Sequence, residues 1–328
     1  MKNKSNASYK NLKVFQDRSE NKRNDQIEIG NKRIDELYER SANPTQPVTT
    51  KIGFPNILVN GNFQVNQRGK TTYTSSGSSV VYTADRWCFS KMAGTTCIVG
   101  KNKVTLSATG TSRNDFFMQY VANPSFYSGR TLTLSISYQN LKGKFGLGMW
   151  DGSSFSQTPW TTASSGTITL TKKIQTSCTS LSCEFLKDTS TTISVEILSA
   201  KLEIGSEATP FYQRTYDEDF ELCKPYFLRL KANSNYTAFA TGITCSSSKA
   251  IVFVPQRMRT TPSISYSGSI KILNSSSYLT VSSISVDSRG SFGLALACAG
   301  SSFSTGQAAI LSSQNDSSAY IDLDAEWR

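Results

Sequence analysis

The stretch Thr131-Leu-Thr-Leu-Ser-Ile-Ser-Tyr138 decides the fold class of this chain. Leu132, Leu134, Ile136 and Tyr138 alternate with small hydroxylated residues. A period of two puts the four apolar side chains on one face of an extended strand, whereas a helix would scatter them. Working outward, short runs of β-branched and aromatic residues recur at 79–82, 86–90, 97–99, 104–108, 116–120, 145–149, 166–170, 180–186 and 193–204, separated by turn residues. Asn60-Gly61 is among the strongest of those turn signals. Short strands at this spacing, without helical periodicity, predict a jelly-roll β-sandwich over 54–213.

A second β-rich stretch covers 214–328, with runs at 236–242, 249–254, 263–267, 269–273, 280–285, 290–298 and 319–323. Asp217 is placed to cap a short helix between the two halves. Ala250 to Val254 is almost wholly apolar, which predicts a strand buried on both sides. A region this small has little material of its own for such cover, so part of it is expected from neighbouring subunits. Upstream, 1–18 is polar and basic and reads as flexible. From about 19 to 53 a helix and linker are expected, with Ile27, Ile34 and Leu37 on a short heptad seam. A seam this short needs an oligomeric body beside it, and an amphipathic surface helix fits the same pattern.

Composition narrows the function classes. Of 328 residues, 38% are hydrophobic and 18% charged, so Ser, Thr, Asn and Gly carry the polarity. Seventeen Phe and fourteen Tyr argue for packed cores over disorder. The net charge of +11 is concentrated partly in the first 33 residues, without a zinc-finger, RNA-binding or base-reading helical pattern, so nucleic acid is not an expected partner. Seven cysteines form no CxxC pair and are read as reduced, small apolar core residues. No run of eighteen apolar residues or signal-like leader is present, so membrane insertion is not expected and assembly in a reducing cytoplasm is.

The chain contains no histidine, which removes Ser-His-Asp, Cys-His and His-ligated metal chemistry; no metal or cofactor is expected. A glycoside hydrolase needs only two carboxyl groups, and Asp151, Glu184 and Glu196 can be nominated. Glycan adhesion is the stronger expectation, because sugar rings stack their CH faces on aromatic side chains. Trp150 and Asp151 lie in the Gly-flanked segment Gly148-Met-Trp-Asp-Gly152, and Trp160 follows in the next loop. These three are the candidate glycan contacts, with Tyr236, Tyr266 and Tyr278 behind them; packing at a subunit interface is the competing fate of each. Trp87 and Phe63 read as core aromatics, Asp85-Arg86 as an ion pair fixing the first strands, and Glu203, Glu207 and Arg214 as a pin at the joint between the halves.

Five segments carry a family resemblance. Asn56-Ile-Leu-Val-Asn-Gly-Asn-Phe-Gln-Val-Asn-Gln-Arg-Gly69 with Tyr82-Thr-Ala-Asp-Arg-Trp87 resembles the opening of the carbohydrate-binding-module-like jelly roll of bacteriophage tail-fibre and appendage proteins. Ala200-Lys-Leu-Glu-Ile-Gly-Ser-Glu-Ala-Thr-Pro-Phe211, continued by 214–227, is similar to the junction with a C-terminal domain in those proteins. Pro255-Gln-Arg-Met-Arg-Thr-Thr-Pro262 and Ile321-Asp-Leu-Asp-Ala-Glu-Trp327 are similar to its later part. The resemblance covers 54–328 and implies a virion structural protein, a tail or head fibre. With the basic N-terminus and heptad patch it leads to a homotrimer anchored to other virion proteins through 1–50 and engaging host cell-surface polysaccharide. The alternative is a polysaccharide-degrading tail enzyme.

Overall fold

The computed structural model describes residues 55–89, 93–109, 115–189, 191–275 and 277–327. The expected flexible segment 1–18 and the helix and linker of 19–53, with Ile27, Ile34 and Leu37, lie outside the described residues. The described residues all fall within one unit, Gly53–Arg328.

Among them, twelve strands build the first half: β1 (Thr72–Ser75), β2 (Val81–Tyr82), β3 (Cys88–Phe89), β4 (Thr95–Gly100), β5 (Lys103–Ala108), β6 (Asp115–Tyr120), β7 (Thr131–Lys142), β8 (Phe145–Trp150), β9 (Phe155–Gln157), β10 (Gly166–Lys173), β11 (Ser182–Lys187) and β12 (Ile193–Ile204). They form two six-stranded sheets, β1-β4-β5-β12-β7-β10 and β2-β3-β6-β11-β8-β9. The chain crosses between the sheets at most steps, so neighbours in a sheet come from distant sequence, as in a jelly roll. The deciding stretch, β7, sits between β12 and β10 in antiparallel register, Leu134 opposite both Leu202 and Leu170. Its Leu132, Leu134 and Ile136 enter the core, while the opposite face satisfies itself with hydroxyls: Thr133 Oγ1 lies 2.9 Å from Thr171 Oγ1 and donates to the Gly205 carbonyl at 2.8 Å.

Large aromatics centre this core. Trp87 stacks on Phe117 at 5.5 Å and packs against Phe63 and Phe185, all of them buried. Each fully buried ring contributes roughly 2–3 kcal/mol of transfer free energy. The indole N–H of Trp87 is met by the Asn60 carbonyl at 2.9 Å, so its burial leaves no orphan donor. Six of the seven cysteines are buried free thiols, and Cys245 is exposed.

Helix α1 (Tyr216–Cys223) follows. Thr215, rather than the expected Asp217, is its N-cap: the Thr215 hydroxyl accepts from the Glu218 N–H while Glu218 reaches back to the Thr215 N–H. Asp217, Glu218 and Asp219 then occupy the first turn, where the helix dipole favours them.

Nine strands complete the described chain: β13 (Phe227–Lys231), β14 (Ala238–Ser246), β15 (Lys249–Val254), β16 (Ser263–Ser267), β17 (Ile270–Asn274), β18 (Ser277–Arg289), β19 (Leu294–Gly300), β20 (Ala308–Ser313) and β21 (Tyr320–Asp324). Six of them close into a barrel in the order β14-β15-β19-β18-β17-β20, and β13-β21-β16 form a small sheet beside it. Within one chain, β15 is buried on one face only. Ala250, Val252 and Val254 point inward, whereas Phe253 is 49% exposed.

Two expected ion pairs are also re-partnered. Asp85 and Arg86 do not pair with each other: Asp85 faces Arg68 at 3.7 Å, and Arg86 is paired with Glu326. Both lie in the turn between β2 and β3, where Arg86 has a positive φ of 74°, and each finds a partner brought in by the fold. At the joint, Arg214 pairs with Asp219 at 3.2 Å and donates to the Asn56 and Leu58 carbonyls, while Glu203 serves Lys201 and Thr209.

The joint itself is built by the motif segments. Asn60 N–H and the Gln64 amide reach Asp219, Gln67 donates to the Phe227 carbonyl and accepts from the Arg229 N–H, and Arg229 donates to the Arg68 carbonyl. From the far end, the Arg86 guanidinium lies 3.6 Å above the Tyr226 ring and 4.7 Å above Trp327. Burial alone would ease the proton off Arg86, but Glu326 beside it more than restores the charge.

Candidate functional site

In β8, Phe145, Leu147 and Met149 point into the core, so Gly146, Gly148 and Trp150 face outward. Two glycines in that alternation leave a bare backbone, and rings from the next segment fill it. The Trp160 ring lies over Gly146, within 3.1 Å of where a Cβ would stand, and the Phe155 ring covers Gly148 so closely that no side chain fits beneath. Trp150 pairs across the hairpin with Phe155. Trp150 is 36% exposed and Phe155 44%, so the segment presents an aromatic rim to solvent.

The hairpin is rigid for local reasons. The Asp151 carboxylate accepts from the N–H groups of Ser153 (3.2 Å), Ser154 (2.8 Å) and Gln175 (3.3 Å), and Lys172 lies 3.3 Å away. Burial works against its charge, yet the N–H groups of Ser154 and Ser153 with the Lys172 ammonium outweigh it and hold its pKa below the ordinary carboxylate range. Thr158 Oγ1 accepts from the Leu147 N–H at 3.0 Å, which fixes the approach to Trp160. Asp151 thus positions the rim and is turned away from its exposed side, being 1% exposed.

Across β11 and β6 the same outer face continues. Ser182 stands opposite both Trp150 and Tyr120, and Glu184 stands opposite both Gly148 and Met118. Ser182 donates to Glu184 at 2.7 Å, both of them buried, and Tyr120 packs on Trp327 at 6.1 Å, so the accessible part of this face is the aromatic rim. At the spacing of neighbouring strands, Trp150 and Tyr120 are separated by about 10 Å of sheet. Exposed rings for CH faces are part of what a sugar-binding surface requires.

Of the sequence candidates, the fold brings Trp150 and Trp160 onto one face and puts Asp151 beneath them. Glu196 lies elsewhere, bound to Lys103 and Gln139. Phe155, Ser182 and Tyr120 escaped sequence reading. For Phe155 a signal exists: glycines two apart in a strand announce that something bulky lies on them. Of the C-terminal tyrosines, Tyr236 is 53% exposed and packs at 5.7 Å on Tyr278, while Tyr266 is 37% exposed and donates to the Ser282 carbonyl.

A cleft of about 930 Å³ also opens beside the joint, lined among others by Asn123, Tyr226, Arg257, Arg259 and Trp327. Its aromatic faces are already occupied, since Arg259 lies 4.1 Å above Trp327 and Arg86 covers Tyr226. Among the described residues no group of three or more Cys, Asp or Glu side chains is placed to hold a metal ion, and no helix is long and apolar enough to cross a membrane.

No protein-family model and no curated protein matches the chain. Among solved structures, a CBM4 chain is similar over 44% of this chain and 98% of its own, at 12% identity and a TM-score of 0.29. The CBM22-1–GH10 modules of the N-terminal endo-1,4-β-D-xylanase 10B of Clostridium thermocellum, complexed with xylohexaose, are similar over 49% of this chain and 29% of their own, at 10% identity and a TM-score of 0.27. The N-terminal CBM22-1–CBM22-2 tandem domain from Paenibacillus barcinonensis is similar over 85% of this chain and 99% of its own, at 12% identity and a TM-score of 0.26. At these scores the likeness carries no argument, and the sandwich rests on its two six-stranded sheets.

Proposed function

We propose that this chain is a non-enzymatic glycan-binding structural protein, a fibre or appendage of a bacteriophage particle. In this reading 1–50 attach it to other virion proteins, three copies associate, and the β domains meet host-surface polysaccharide. The observation that carries the adhesive part is the aromatic rim: Trp150 exposed at the end of β8, with Phe155 laid over Gly148 and Trp160 over Gly146. The virion part rests on the five ordered segments within 54–328. Several weak rims acting together through multivalency reach useful avidity without a deep pocket.

The test is binding of the purified full chain to host cell-surface polysaccharide, measured by calorimetry and by pull-down on intact cells. Saturable binding lost in Trp150→Ala supports the reading. Absence of binding, or binding indifferent to all three rim residues, overturns the adhesive part. Release of soluble oligosaccharide during the incubation overturns the non-enzymatic part.

A further inference from the structure

We infer that the outer face of the barrel across β20, β14, β15 and β19 is a subunit interface, occupied by a second copy of this chain. The inference deepens the multimeric part of the reading above and rests on it. Side chains are distributed the wrong way round for a surface that meets only water. Inward positions hold Val252, Val254, Leu294, Leu296 and Leu311 beside Ala240, Ala250 and Ala309, yet Ile243 and Phe253 point outward and stay 50% and 49% exposed. Strand pairing makes these neighbours: Ile243 stands opposite Ile251, which stands opposite Ala297, and Phe253 stands opposite Ala295. Phe292, 89% exposed at the tip of the β18–β19 hairpin, extends the patch at one end.

The patch spans four adjacent strands and two outward rows. With its borders it covers roughly 15–20 Å in each direction, on the order of 300 Å² of largely apolar surface. A stable contact needs about 800 Å² from each partner, of which the apolar centre is only a part. Here polar groups border it as well, in Ser285 and the Lys249–Asp287 pair at 2.8 Å, with Thr241 the one hydroxyl inside the patch, between Ile310 and Phe253. The patch itself carries no charge. On a chain of net charge +11, copies repel over most of their surface, and an uncharged face is where they can approach. Sugar is a poor occupant, since Ile243, Ile251, Phe253, Ala295 and Ala297 offer it no hydrogen-bonding side chain.

The experiment is light scattering and sedimentation of the intact chain at micromolar concentration, beside the double variant Ile243→Lys/Phe253→Glu. The expected result is a mass two or three times the monomer for the parent and a monomer for the variant, with an unchanged β-type circular dichroism spectrum. Should the double variant lose that spectrum, Phe253→Ser replaces it and is expected to weaken association at least tenfold. A parent that is already a monomer overturns both the inference and the multimeric reading. An oligomeric parent whose folded variants keep the same mass overturns this interface alone and leaves multimerisation standing.

Discussion

The sandwich and the barrel are both closed β structures, yet they distribute bulk in opposite directions. The sandwich hides Phe63, Phe89, Trp87, Phe117, Phe145 and Phe185 completely and exposes Phe126 and the rim of Trp150 and Phe155. The barrel encloses Val, Ile and Leu side chains, among them Val252, Ile272, Leu296 and Leu311, with three alanines, and leaves Ile243, Phe253 and Phe292 outside. Two sheets about 10 Å apart leave room for rings between them, whereas a narrow six-stranded barrel has a bore that aliphatic side chains fill. The lesson is one of placement: the sandwich encloses its largest rings, and the barrel leaves Phe253 and Phe292 in solvent.

The sharpest way to break this contrast is to hollow the sandwich. Trp87→Ala is expected to cost about 3–5 kcal/mol in urea unfolding, because the cavity would open among the rings of Phe63, Phe117 and Phe185. Glu326→Ala comes close behind at roughly 3–5 kcal/mol, since it leaves the Arg86 guanidinium buried and unpaired where the two halves meet. If the halves then melt separately in calorimetry, the joint is what makes them unfold together.

A pH series sharpens the same point. Burial pushes the Asp85 carboxyl up to about 6, against the pull of Arg68 and Gln67. A carboxyl whose folded pKa is raised gives stability that is complete below its ordinary value near 4 and is lost as pH rises through about 6. The loss amounts to about 3 kcal/mol. In Asp85→Asn that loss disappears, so relative to the parent the variant gains this amount between pH 4 and pH 7, read from denaturant midpoints. Next in size, Trp150→Ala is expected to weaken glycan binding at least tenfold, about 1.4 kcal/mol, with the melting temperature nearly unchanged. Smallest of all, Phe253→Ser should leave the unfolding free energy of the isolated monomer within about 0.5 kcal/mol, since its side chain is half in solvent.

What was legible in the sequence follows the range of the interaction that decides it. The bounds of β15 and β16 follow from local pattern alone, as does the alternation in β7. Strands β1, β9, β13 and β20 were not legible, because their short or mixed runs are extended only through partners elsewhere. The same holds for charges. Asp85 and Arg86 are adjacent in sequence, so pairing them was the local solution, but the true partner of Arg86 is 240 residues away. At the candidate site the tryptophans were visible as loop aromatics, while Ser182 and Tyr120 join them only through the register of β11 against β8 and β6. The segments at 56–69 and 214–227 stood out because they carry the joint, whose geometry tolerates few residue types.

That joint also sets a timetable. β21 is the middle strand of β13-β21-β16, and Glu326 is the partner of Arg86, so the last contacts of the joint leave the ribosome well after those between 56–69 and 214–229. At 5–20 residues per second, Arg86 waits on the order of 10–50 s for its counter-charge. Throughout that interval the sandwich can fold while β13 and β16 have no strand to bind. A chain cut short by a premature stop never closes the joint, and the cell's proteases are offered its open edge. Completion of synthesis is thereby written into the fold as a condition for survival of the product.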